Sequence, residues 1–221
     1  MRPRAAATST PACGPAALAE KALPHSVTDD GTPTRPSVIR TFIEVELPEW
    51  VRGALAELSA RLAQGWPRCA VRWATAEKLH LTLRFLGDTE EEKVGALAAG
   101  LDGLAADQPG FDLRLTSVGV FPNARRPRVI WTGLTDEENK LETLQRSVER
   151  MVRSLGWAAE QQRYKPHVTV GRVRPRAQPR DPHWVQAPPE LVFQVDGMAL
   201  MESRLSSAGA EHTCLHRTSF T

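Results

Sequence analysis

An α+β fold built from two similar halves is what the sequence predicts, and three observations carry that expectation. Segments of strand-like alternation and segments with apolar residues three and four apart succeed one another across residues 39–221. The order strand, helix, linker, strand occurs twice. Each copy ends in a strand with a histidine and a threonine two apart: His80 and Thr82 in LHLTLRFLG, His167 and Thr169 in PHVTVGR. The preceding segments TFIEVEL, from Thr41, and RVIWTGL, from Arg128, share the 87-residue offset of the two histidines. Halves so related pack around a pseudo-two-fold axis, with equivalent strands meeting across a central groove.

Each element has a local reason. Residues 1–38 are rich in Ala, Pro, Thr and Ser without any period, and are expected to be a disordered tail that buries too little apolar surface to offset its ordering entropy. IRTFIEVELP reads as a strand centred on Phe42 and Ile43 and closed by Pro48. A helix follows, with Val51, Ala54, Leu55, Leu58 and Leu62 on one face and Gly65 as its stop. After the first His-Thr strand, Thr89 with Glu92 three later reads as a capping box for a second helix, its stripe Val94, Leu97, Ala98, Leu101 and Leu104. FDLRLTSVGVFPN reads as a strand with a turn at Pro122 and Asn123, and RVIWTGLT as another. Thr135 with Glu138 predicts the start of a third helix bearing Leu141, Leu144, Val148, Val152 and Leu155. Beyond the second His-Thr strand come a Pro- and Arg-rich loop and two final strands, LVFQVDGMALMESRL and EHTCLHRTSF.

Composition narrows the function. A net charge of +2 is too small for a dedicated nucleic-acid coat, although the 28 Lys and Arg residues allow a local patch. Cys13, Cys69 and Cys214 are odd in number and scattered, which fits a reducing, cytoplasmic compartment rather than a disulfide framework. No apolar run is long enough to span a membrane, and the N-terminal segment lacks the continuous apolar stretch of a secretory signal. With no spare amphipathic helix or heptad seam, a monomer is expected.

On a regular strand His80, Thr82 and Arg84 share one face, and Leu79, Leu81, Leu83 and Phe85 the other. His167 and Thr169 stand the same way against Val168 and Val170, with Gly171 next on the polar face and leaving room for a ligand. One such pair is commonplace on a wet strand. Two pairs in matching halves put two imidazoles and two hydroxyls around one cavity. An imidazole titrates near neutrality, so one copy can take a proton while the other gives one. Hydroxyls are neutral donors suited to phosphoryl oxygens, and the set needs neither metal nor cofactor to open a strained cyclic phosphodiester.

These motifs, with RTFIEVELP, FPNARRPRVIW and the terminal LMESRLSSAGAEHTCLHR, make residues 39–221 resemble the RNA 2′,3′-cyclic phosphodiesterase (2′-5′ RNA ligase) family of two-histidine phosphoesterases. The resemblance implies two lobes, each an antiparallel sheet backed by helices, with the active site in the cleft between them. It implies hydrolysis of RNA 2′,3′-cyclic phosphate ends to 2′-phosphomonoesters, with 2′-5′ ligation as the reverse. His80 would be the proton donor, His167 the proton acceptor, and Thr82 and Thr169 the phosphate holders. An RNA-end binding module without turnover, or a phosphodiesterase of small cyclic nucleotides or 2′-5′ oligonucleotides, would use the same groove. Three positions depart from the family pattern: Glu44 in place of a small apolar residue, Lys165 in place of arginine, and His212 in an aromatic slot.

Other residues are weighed alongside. Arg125, Arg126 and above all Arg128, near Phe121 and Trp131, could hold RNA or form a solvated turn. Tyr164 could stack on a base or pack. His212, Cys214 and His216 would share one face of a regular strand, but their spacing is not that of a zinc site and no metal is expected there. His25, in the tail, and His183, in the Pro-rich loop, are not expected to do chemistry.

Overall fold

The computed structural model describes residues 37–206 and 209–221. The expected tail lies outside the described residues except for Ser37 and Val38, and Val38 already opens the first strand. The strands are β1 (Val38–Glu46), β2 (Val71–Trp73), β3 (His80–Glu90), β4 (Phe111–Phe121), β5 (Val129–Thr135), β6 (His167–Val173), β7 (Val192–Val195), β8 (Gly197–Ser206) and β9 (Gly209–Ser219). The helices are α1 (Glu49–Ala63), α2 (Val94–Ala105) and α3 (Lys140–Ser154).

The helical stripes bury largely as their spacing requires: Val51, Leu55, Leu58 and Leu62 on α1, Leu97 and Leu101 on α2, Leu141, Leu144, Val148 and Val152 on α3. Both expected capping boxes are replaced. Thr89 belongs to β3, where its hydroxyl bonds that of Thr41 at 2.7 Å in the core, and α2 starts only after a 3₁₀ turn at Glu91–Lys93. At α3 it is Asp136, not Thr135, that caps, accepting backbone N–H bonds from Lys140 at 2.6 Å and Leu141 at 3.2 Å. A carboxylate offers two oxygens and a negative charge to the positive helix end, where a hydroxyl offers one neutral oxygen. Gly65 follows the end of α1, and a Cβ there would lie 2.5 Å from Cβ of Trp184, so its smallness lets the Pro-rich loop approach.

All nine described strands form one antiparallel sheet in the order β7-β4-β5-β6-β3-β1-β8-β9, with β2 pairing β6. The penultimate strand segment of the sequence proves to be two strands, β7 and β8, separated by Asp196 alone and standing toward opposite ends of that order. A sheet whose distant strands are one residue apart in sequence has to curl, and this one does. The order also reads the same from both ends about its centre, with β6 answering β3, β5 answering β1 and β4 answering β8. Helix α1, which follows β1, packs on β6, while α3, which follows β5, packs on β3, so each half lends its helix to the other. One apolar core, including Leu81, Leu97, Ile130, Val148 and Val168, runs under both halves.

Candidate active site

The pairing of Leu81 with Val168 joins β3 to β6. These two residues are themselves equivalents in the repeat, so the local two-fold axis passes between them. The β1–β3 ladder pairs Glu46 with His80, Glu44 with Thr82 and Phe42 with Phe85. The β5–β6 ladder pairs Gly133 with His167, Trp131 with Thr169 and Val129 with Arg172, each residue 87 places after its counterpart. Leu81 and Val168 point into the core, so their neighbours His80, Thr82, His167 and Thr169 point out of the other face. In the antiparallel register His80 stands beside Thr169 and Thr82 beside His167. Each histidine is thus neighboured by the threonine of the other half. All four line one cleft of about 200 Å³.

The two ladders also slip at the same place. An extra residue stands in β3 between Thr82 and Arg84, and its equivalent in β6 lies between Thr169 and Gly171. Such bulges reset the alternation of side chains. Phe85, expected on the core face, is 61% exposed and lines the cleft. Its equivalent Arg172 lines the cleft opposite, and is a functional residue that counting along a regular strand misses. Gly171, expected to leave room for a ligand, is turned away: a Cβ there would meet Val71 at 2.8 Å and Trp73 at 3.0 Å. Arg84 leans toward α3, bonding Glu149 at 2.7 Å and Glu160 at 3.2 Å beside an adjoining groove of about 730 Å³.

Each imidazole is oriented by the carbonyl two residues before it, Nδ1 of His80 on Lys78 O at 2.9 Å and Nδ1 of His167 on Lys165 O at 2.7 Å. A carbonyl only accepts, so both Nδ1 atoms carry the proton and both Nε2 atoms are left for the cleft. The surroundings then diverge. His80 packs on Phe42 and His212, with ring centroids 5.1 and 5.2 Å away, and its Nδ1 lies 3.6 Å from Oε2 of Glu44. Burial, reinforced by the nearby His212, Arg172 and His167, pushes its pKa down to about 4, which favours the neutral imidazole near neutral pH. His167 instead meets the edge of Phe121 at 5.1 Å, and Phe121 in turn stacks on Trp131 at 5.0 Å. Glu44 is buried, and that burial, together with the carboxylate of Glu46, pushes its pKa up to about 8.

The remaining candidates sort by contact. Tyr164 donates to the Thr82 carbonyl at 3.3 Å, tying the segment before β6 to β3. The Lys165 ammonium lies over the Phe121 ring at 5.6 Å. Arg125, Arg126 and Arg128 are exposed around the turn after Phe121. The HTCLH segment does not gather its three residues: β9 slips against β8 between Cys214 and His216, His216 bonds Asp102 at 2.7 Å, and His212 turns to His80. Among the described residues, the grouping with the spacing to hold a metal ion is Glu44, His80 and His212. His183 lies exposed in the Pro-rich loop, and His25 falls outside the described residues.

Comparison with known proteins agrees with this geometry. The model of the LigT-like phosphoesterases matches residues 45–131 and again residues 134–210. A Thermus thermophilus protein described as RNA 2′,3′-cyclic phosphodiesterase is 35% identical over 191 residues, covering 82% of this chain and 90% of that relative. The crystal structure of TT0787 from Thermus thermophilus superposes with a TM-score of 0.70 at 30% identity, over 82% of this chain and 98% of that one. E. coli LigT in complex with 3′-AMP gives a TM-score of 0.70 at 27% identity, over 84% of this chain and 99% of that one. The twofold match of one family model reproduces the internal repeat, and the chain belongs to the LigT-like phosphoesterase family.

Proposed function

We propose that the chain hydrolyses RNA 2′,3′-cyclic phosphate ends to 2′-phosphomonoesters through paired histidine acid–base catalysis. The observation that carries this is the two-fold arrangement about Leu81 and Val168, which turns both His-Thr pairs onto one cleft of about 200 Å³. His167 takes a proton from water, whose oxygen forms the new bond to phosphorus. The bond from phosphorus to the 3′ oxygen breaks, and His80 supplies that oxygen with its proton. Thr82 and Thr169 donate to the non-bridging oxygens, and Arg172 faces the charge that builds on them. The phosphodiester anion, entering between His80 and Arg172, supplies the countercharge that lets His80 hold its proton despite burial. With the 5′-hydroxyl of a second RNA end in place of water, the same transfers form a 2′-5′ linkage. Relatives described as RNA 2′,3′-cyclic phosphodiesterases and the 3′-AMP complex of E. coli LigT support a nucleotide substrate.

The proposal extends to a monomer acting in the cytoplasm without a metal cofactor. All six cleft side chains named above come from one chain, Cys69 and Cys214 are free thiols, and no described helix is long and apolar enough to cross a membrane. The test is turnover of a nucleoside 2′,3′-cyclic phosphate by purified protein in EDTA, with the product identified by phosphorus NMR. Activity should persist in EDTA, give the 2′-phosphate, and fall about 10²–10⁴-fold in His80→Ala and in His167→Ala. Loss of turnover in EDTA, a 3′-phosphate product, or full activity in either variant would refute the mechanism.

A further inference from the structure

Two side chains outside the His-Thr set converge on His80 from different strands. Glu44, on β1, is 4% exposed, and its Oε2 is sealed from solvent without a hydrogen-bond partner. His212, on β9, meets the His80 ring edge-on at 74°. One nitrogen or oxygen from each of Glu44, His80 and His212 lies within 4.8 Å of the others. The repeat supplies an internal control. The equivalent of Glu44 beside His167 is Trp131, and the ring that meets His167 edge-on there is Phe121. His167 is lined by Phe121 and Trp131, while His80 has one such ring, Phe42, and beside it a carboxylate and a second imidazole. These are also two of the three departures from the family pattern noted in the sequence.

A buried carboxyl oxygen without a partner is costly, and such a group is resolved by holding its proton, by pairing or by coordination. Among the described residues, nothing permanently cationic pairs with Oε2. Its nearest nitrogen, Nδ1 of His80, is already committed to the Lys78 carbonyl at 2.9 Å. That bond fixes the His80 tautomer and leaves Nε2 with its lone pair, as metal-binding histidines are normally held by a carbonyl or carboxylate on their other nitrogen. Two imidazoles and one carboxylate form a donor set suited to zinc or a neighbouring first-row ion. Tetrahedral zinc needs donor separations of roughly 3.4 Å; Oε2 of Glu44 now lies 3.6 Å from Nδ1 of His80, so binding at Nε2 requires the Glu44 side chain to turn toward that nitrogen.

We propose that Glu44, His80 and His212 form a site for one divalent transition-metal ion of the zinc class, whose occupation silences the histidine-pair hydrolysis. An Nε2 bound to metal carries no proton and gives none to a leaving oxygen. The silencing rests on the hydrolysis proposed above; the binding does not.

Calorimetric titration of the full chain with zinc chloride tests the site, in a Cys13→Ser, Cys69→Ser, Cys214→Ser background that removes all three cysteine thiols. One ion per chain is expected, with affinity at least tenfold weaker in Glu44→Gln, which keeps side-chain volume, and in His212→Phe, which keeps a planar ring. Cobalt(II) bound to the unsubstituted chain should give the visible bands of a tetrahedral site without a thiolate charge-transfer band, a readout that needs no variant to fold. Absence of binding, unchanged affinity in both variants, or a thiolate band would overturn the site. Turnover of a cyclic nucleotide should fall at least tenfold with saturating zinc and recover in EDTA. Zinc that binds at the site yet leaves turnover intact would overturn the silencing. A chain that turns over no cyclic phosphate in EDTA would instead refute the hydrolysis, and the calorimetry would still decide the metal.

Discussion

Arg172 shows what one inserted residue does to a site. Its guanidinium reaches the cleft only because the ladder slips after Thr169; on a regular strand it would face the other way. Removing it should cost about 10²-fold in kcat/KM for a cyclic nucleotide, the scale of losing one fixed donor to the developing charge. Arg172→Lys should recover part of that loss, since a point charge replaces the planar fork. Rates of Arg172→Ala within twofold of the parent would show that it does not face the phosphate. His80, Thr82, His167 and Thr169 were legible in the sequence because a polar pair among strand leucines and valines needs only alternation to be read. Arg172 and Phe85 were not, because a bulge leaves no mark in hydrophobic period. The signal that could have found them was the repeat itself: both stand three residues after a motif threonine, at the same offset as the histidines.

Helix starts divide along similar lines. The stripes of α1, α2 and α3 follow from period alone, whereas the starts of α2 and α3 depend on which partners the nearby polar side chains bond. Thr89 was drawn into β3 by its buried bond to Thr41, and Asp136 outreaches Thr135 at α3. Asp136→Ala should therefore destabilise the protein by about 1 kcal/mol in urea denaturation. Thr135→Ala, at an exposed hydroxyl, should stay within about 0.5 kcal/mol of the parent. The reverse ranking would restore Thr135 as the cap. The split of β7 from β8 was equally hidden, since LVFQVDGMALMESRL carries a continuous strand character and only pairing partners, far apart in the chain, separate its two parts.

At the scale of the molecule, the pairing of Leu81 with Val168 is the hinge of both fold and site. Both side chains are fully buried, and both motif strands take their relative placement from this contact. Leu81→Ala should cost about 2–5 kcal/mol by urea denaturation. It should also lower turnover, because the His-Thr pairs on either side of the axis lose their common support; a destabilised variant with undiminished kcat would mean that the cleft is held from elsewhere. The two-fold order was readable from the repeated segments, but the curl was not. It comes from the single-residue link at Asp196, which ties β7 to β8 across the sheet, while β8 pairs β1, the first strand, and β9 pairs β8. During synthesis β1 therefore leaves the ribosome long before the strand that covers its free edge, with Phe42 and Ile43 unshielded meanwhile. A premature stop ahead of β8 would leave both motifs encoded yet yield a chain with a raw hydrogen-bonding border, and such borders seek one another.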